Sequence, residues 1–205
     1  NPGAGLGMPL AANLNSGAGN LLQLPLNLAP TPASADVYHL GGTLANQRGD
    51  AAAARESYLR SLEIREQLGD QAGIAKLVTN LGIVATGGGD LDQARAYLER
   101  GASIYSDLGD RRGSSIAATN LAWASMIGGE PDAARRYSEQ AVALAREIGD
   151  RFNIAIGQNN LGNALRLLGE WRAAGDQYAA AVEGYRELDA RWGFAPDPKV
   201  LQRHG

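Results

Sequence analysis

Apolar residues return at helical spacing in one segment after another of this chain. From Pro131 to Ile148, the residues Ala134, Tyr137, Ala141, Leu144, Ala145 and Ile148 fall on one face, while Arg135, Arg136, Glu139 and Glu147 fall on the other. Spacing of three and four residues predicts an amphipathic helix. A helix opening near Ala72 must end by Gly87-Gly88-Gly89, because three glycines lose too much backbone entropy to extend it. Asp90 then caps a second helix by accepting from the free amides of its first turn, with Gln93 in capping-box position. In the next pair Pro131 follows Glu130 and reaches the same boundary by different chemistry, since the first turn does not need the amide proton that proline lacks. Strand alternation is absent.

The helix pairs recur every forty residues. Leu68-Gly69-Asp70 returns as Leu108-Gly109-Asp110 and Ile148-Gly149-Asp150, then fades to Leu188-Asp189-Ala190. Asn80-Leu81-Gly82 returns as Asn120-Leu121-Ala122 and Asn160-Leu161-Gly162, and Ala54, Ala94, Ala134 and Ala174 keep one register. Four units follow, at about 36–70, 71–110, 111–150 and 151–190, the first of them degenerate because Gly41 replaces leucine and Leu40 replaces asparagine. One unit cannot bury its apolar stripe alone, whereas stacked units cover one another. Small residues such as Gly101, Ala141 and Ala181 allow the close approach. The expected fold is all-α, a superhelix of about four helix-turn-helix repeats.

The flanks read differently. Residues 1–35 carry no charge and hold five of the eight prolines, the composition of a disordered linker, with a cleaved leader as the alternative. The run Leu21 to Ala29 is interrupted by Gln23, Pro25 and Asn27, far short of the roughly 20 apolar residues that a membrane span takes. A start at Asn1 points to a fragment or a processed product. At the other end Arg191-Trp192-Gly193 could open a fifth unit, but Pro196 and Pro198 stop it, so 191–205 is a tail or a truncated repeat.

Composition narrows the chemistry. At 205 residues and 44% hydrophobic content the chain suits one folded domain. Nineteen basic against twenty-two acidic residues leave no surplus for binding nucleic acid directly. Cysteine is absent, which removes thiolate nucleophiles and ligands. His39 and His204 are the only histidines, no phosphate loop occurs, and the alternating Gly3, Gly5 and Gly7 neither follow a strand nor open a helix. The expectation is no enzyme, no metal, no cofactor and no membrane contact, with the cytoplasm as default compartment.

Leu at position seven, a small residue at eight, Ala at twenty and a small residue near twenty-seven resemble the tetratricopeptide repeat. Leu81, Gly82, Ala94 and Gly101 carry the likeness, as do Leu121, Ala122, Ala134 and Ala141, and Leu161, Gly162, Ala174 and Ala181. The forty-residue form is similar to repeats of kinesin light chain and of spindle-orientation adaptors, and to carboxy-terminal arrays of bacterial signal-transduction ATPases and transcriptional regulators. The resemblance implies a protein or peptide partner in a concave groove lined by the first helix of each pair, where Asn80, Asn120 and Asn160 would grip an extended backbone. The competing reading is that these amides only fix helix packing. In the binding reading, neighbouring positions on the same face would supply specificity: Lys76, Thr79, Ile83, Thr119, Trp123, Met126, Asn159, Asn163 and Arg166. The alternative to a passive adaptor is the sensing module of a larger regulator. The apolar ends of such a stack also allow self-association.

Overall fold

The computed structural model describes residues 30–192, and every statement on structure below concerns these. Eight helices follow in order: α1 (Pro32–Gln47), α2 (Ala51–Leu68), α3 (Gln71–Gly87), α4 (Leu91–Asp107), α5 (Arg111–Ile127), α6 (Pro131–Glu147), α7 (Arg151–Leu167) and α8 (Trp171–Trp192). They form four antiparallel pairs, and no strand occurs among the described residues.

The turns explain the period, which at backbone level is twenty rather than forty. Gly49, Gly69, Gly89, Gly109, Gly129, Gly149 and Gly169 all hold φ between 67° and 81°, a left-handed conformation that crowds any Cβ. The residue after each glycine donates its N–H to the carbonyl five residues back, as Asp70 does to Arg65 at 3.0 Å and Asp110 to Tyr105 at 2.9 Å. This Schellman closure satisfies carbonyls that the helix end leaves free. Most of the following helices are then capped at once. The carboxylates of Asp50, Asp70, Asp90, Asp110 and Asp150 each accept from the amide three residues on, at 2.9–3.2 Å. Glu130 makes no such cap, and Pro131 stands at the first helical position instead.

Three sequence expectations need correction. The first helix opens at Pro32, not Asp36, because Thr31 and Ser34 form a reciprocal capping box and Ser34 and Ala35 are buried. Of the expected linker, residues 1–29 lie outside the described residues. Arg191 and Trp192 do not begin a new unit. Asp189 stands where the other turns have glycine, and α8 runs on through Trp192. Ile148, placed on the apolar stripe of α6, is instead exposed as the C-terminal cap beside Gly149.

Packing within a pair depends on one small residue facing one large one. A Cβ on Gly42 would stand 2.6 Å from the ring of Tyr58, one on Gly82 2.5 Å from Leu98, and one on Gly162 2.7 Å from Tyr178. Ala122 is the exception in this register, and the position opposite it is Ser138, a smaller side chain. Within pairs, Ser61 Oγ donates to Ala35 O at 2.7 Å and Ser115 Oγ to Ala141 O at 3.0 Å, whereas Ser138 Oγ is buried without a hydrogen-bond partner among the described residues. The odd helices also touch one another directly, α3 with α5 and α5 with α7, whereas the even helices make no comparable contact. Closer neighbours belong on the inside of a curve, so the odd helices line the concave face.

Candidate functional site

Two clefts open on that face, one between α1 and α3 and the next between α3 and α5. The first, about 320 Å3, is lined by Asp36, His39, Arg65, Asp70 and Lys76. The second, about 300 Å3, is lined by Lys76, Asn80, Ile83, Tyr105, Arg112 and Ile116 among others. They are the same place in successive units. Forty residues relate Arg65 to Tyr105, Asp70 to Asp110 and Gly73 to Gly113.

The floor of each cleft comes from the end of the second helix. Arg65 in one and Tyr105 in the other fold over the first turn of the next helix, where a Cβ on Gly73 would stand 2.4 Å from Arg65 Cδ and one on Gly113 2.2 Å from Tyr105 Cδ1. At the third junction the sizes reverse. Ala145 is small, and Asn153 replaces glycine and donates its Nδ2 to Asp150 at 2.8 Å. Arg65 is paired with both Asp36 and Asp70. The Gly73 amide holds the Asp70 carboxyl below its ordinary range, with Arg65 adding to the effect against the opposing cost of burial. Burial pushes the Tyr105 phenol up.

The ladder of asparagines is present, but its three members are not equivalent. Asn80 Nδ2 lies 3.2 Å from His39 Nε2. Asn120 Nδ2 donates to Ile116 O on its own helix at 2.9 Å. Asn160 is half-buried and forms no hydrogen bond with a described residue. Among the flanking positions, Asn163 Oδ1 accepts from Tyr178 Oη at 2.9 Å, which ties it to the packing of α7 on α8. Thr79 is buried and donates to Ala75 O, and Thr119 donates to Ser115 O. Lys76, Asn159 and Arg166 are exposed without an ion pair or hydrogen bond to any described residue, and Trp123, Ile83 and Met126 are half-buried.

Sequence reasoning missed His39, Arg65, Tyr105, Arg112 and Ile116. The signal was present as a size exchange eight residues apart, Arg65 with Gly73, Tyr105 with Gly113 and Ala145 with Asn153. The character of the groove changes along its length. Its first cleft is charged, while by register the place between α5 and α7 is bordered by Ile116, Trp123 and the exposed Phe152. Among the described residues no three His, Asp or Glu side chains group as a metal site, and no helix is long and apolar enough to cross a membrane.

Stacked helix pairs with an open groove on their inner face define an α-helical repeat scaffold, a fold that typically mediates contacts between proteins. The chain belongs to the tetratricopeptide repeat family, whose model matches residues 33–107, 74–147 and 114–187. Among solved structures, BtubC (BKLC) of P. vanneervenii is similar, at a TM-score of 0.67 and 20% identity, over 80% of this chain and 66% of that one. Nearly identical TPR-like repeats from a Podosopora anserina protein described as a kinesin light chain are also similar, at a TM-score of 0.63 and 16% identity, over 78% of this chain and 79% of that one. These identities speak to the fold alone. A search of curated proteins finds no match.

Proposed function

We propose that the concave groove binds an extended segment of a partner protein, with peptide-bonding groups from α3 and α7 and apolar contacts from α5. The observation that carries this reading is the set of polar groups left unused on the inner face. Lys76 borders both clefts without an ion pair, and Asn160 and Asn159 make no hydrogen bond with a described residue. A free amide offers donor and acceptor together, which matches a peptide group. Asn80 keeps its oxygen available while its nitrogen is held by His39. Asn120 and Asn163 contribute less, because Asn120 already donates to a carbonyl of its own helix and Asn163 accepts from Tyr178 on α8.

A displayed library of random peptides, selected on the immobilised chain, tests the proposal. Enriched sequences are expected to lose about tenfold in affinity on Asn160→Ala or Lys76→Ala, roughly the loss of one charged or well-placed hydrogen bond. Asn120→Ala should change affinity little, and helicity should be unchanged in all three. Peptides that bind every variant as well as the parent would place the site elsewhere.

A further inference from the structure

The two ends of this solenoid carry the two halves of the contact that joins its units. Inside the chain, each second helix meets the following first helix through a pair of positions fifteen residues apart. Leu62 and Leu77 share one core cluster, and Ala102 packs with Ala117 in another. At the third junction, a Cβ on Gly157 would stand 2.7 Å from Val142 Cγ2. The next residue in this series is Val182 on α8, which is 47% exposed, and α8 runs on through Trp192 where the other helices have already turned.

At the other end the matching position is Val37. It is 55% exposed, whereas Leu77 and Ala117 in the same register are 0% exposed and Gly157 is buried. Leu44 repeats the contrast, exposed where Val84, Ala124 and Ala164 are buried. Positions that are core at every internal junction become surface only where the described helices run out.

We propose that copies of this chain stack head to tail, α8 of one copy on α1 of the next, with Val182 against Val37. The contact continues an interface already made three times within the chain, and valine on valine lies between the leucine pair of the first junction and the alanine pair of the second. Tyr185 occupies the register of Arg65 and Tyr105, which require glycine opposite, and Ala33 stands there instead. Its ring stands 6.4 Å edge-on to Phe152. Charge makes this junction weaker than the first internal one. Glu66 pairs with Arg100 at 2.6 Å inside the chain, but the same register sets Arg186 beside Arg60 between copies, each only partly offset by a glutamate of its own helix, Glu183 and Glu56. Because the two faces differ, the contact is heterologous and extends as a row rather than closing as a dimer.

Sedimentation velocity over a range of protein and salt concentrations tests this, and does not involve the groove. The parent chain is expected to gain mass with concentration, and more so at high salt, where the like charges are screened. Val37→Glu and Val182→Glu should each be monomeric with unchanged helicity, about tenfold or more weakened in association. Val37→Ser and Val182→Ser should follow in the same order with smaller effects. Mixed in equal amounts, the two glutamate variants should form a dimer and nothing larger, since each retains one intact face. A parent chain that stays monomeric at every concentration overturns the proposal, because its ends are then covered from within. So does a Val182→Glu variant that dimerises alone, which would show a symmetric α1 contact.

Discussion

Asn80 Nδ2 stands 3.2 Å from His39 Nε2, so the amide that opens the ladder reaches back to the first helix of the preceding unit. An amide nitrogen only donates, and Nε2 therefore accepts, which places the imidazole proton on Nδ1. The ring leans on Tyr58 with centroids 5.9 Å apart. Burial, reinforced by Lys76 and Arg65 against a weaker pull from Asp36, lowers the His39 pKa and keeps this neutral form.

A pH dependence of stability follows. The unfolded chain takes up a proton on His39 as pH falls through about 6.5, the ordinary value, while the folded chain resists it to lower pH. Stability from this group is thus complete above 6.5 and declines as pH falls from there toward the folded pKa, because the unfolded state then binds more protons. Urea melts between pH 7.5 and 5.5, values set about one unit either side of 6.5, should show the decline. His39→Gln keeps an acceptor for Asn80 without titrating and should flatten it. An unaltered slope in that variant would assign the effect to other groups.

The Gly113 and Tyr105 pair should behave as a unit. Gly113→Asn drives a side chain into the Tyr105 ring, 2.2 Å from where its Cβ would sit, and should destabilise by about 2 kcal/mol, in the range of overpacked cores. Adding Tyr105→Ala recreates the Ala145 and Asn153 arrangement of the next junction and should recover a large part of that loss. A double-mutant cycle on denaturant melts reads the coupling directly. Additive losses would mean that the two sites do not share their space.

The period and the helix pairs were legible because each turn demands a residue that sequence displays: a left-handed glycine and, at most turns, an aspartate cap. The start at Pro32 was hidden, since Thr31 and Ser34 cap α1 in a stretch without charge. Spacing also found the asparagines, but not their bonds. Whether an amide turns to its own helix, as Asn120 does, or to a neighbour, as Asn80 does, depends on which carbonyl or ring stands within reach after the helices dock. The clefts were missed for the same reason. Arg65 and Tyr105 lie at the ends of second helices, and only the docking angle brings them under the following one.

Two glycine-to-alanine changes should have opposite signs. Gly149 holds φ at 67°, and alanine there is expected to lose about 1–2 kcal/mol to left-handed strain. Gly175 sits inside α8 with nothing within 4 Å of the place a Cβ would take, so alanine should add about 0.5–1 kcal/mol through helix propensity. Thermal melts of the two variants separate these effects. Equal shifts of the same sign would contradict the turn geometry.

Glu130 is a position among these turns where aspartate should improve on the native residue. Its carboxylate leaves the amides of α6 uncapped and pairs instead with Arg95. The two side chains are 42% and 47% exposed, and such surface pairs contribute about 0.2–1 kcal/mol, less as salt rises. The shorter aspartate caps at every other turn where it occurs, and a side-chain cap is worth about 1 kcal/mol. Glu130→Asp should therefore be close to neutral at low ionic strength and become net stabilising as salt screens the pair it gives up. Arg95→Ala in the parent chain should lose at most a few tenths of a kcal/mol at high salt. Thermal melts of both variants at two salt concentrations decide the matter: a Glu130→Asp chain that is less stable than the parent at high salt would show that α6 needs no cap beyond Pro131.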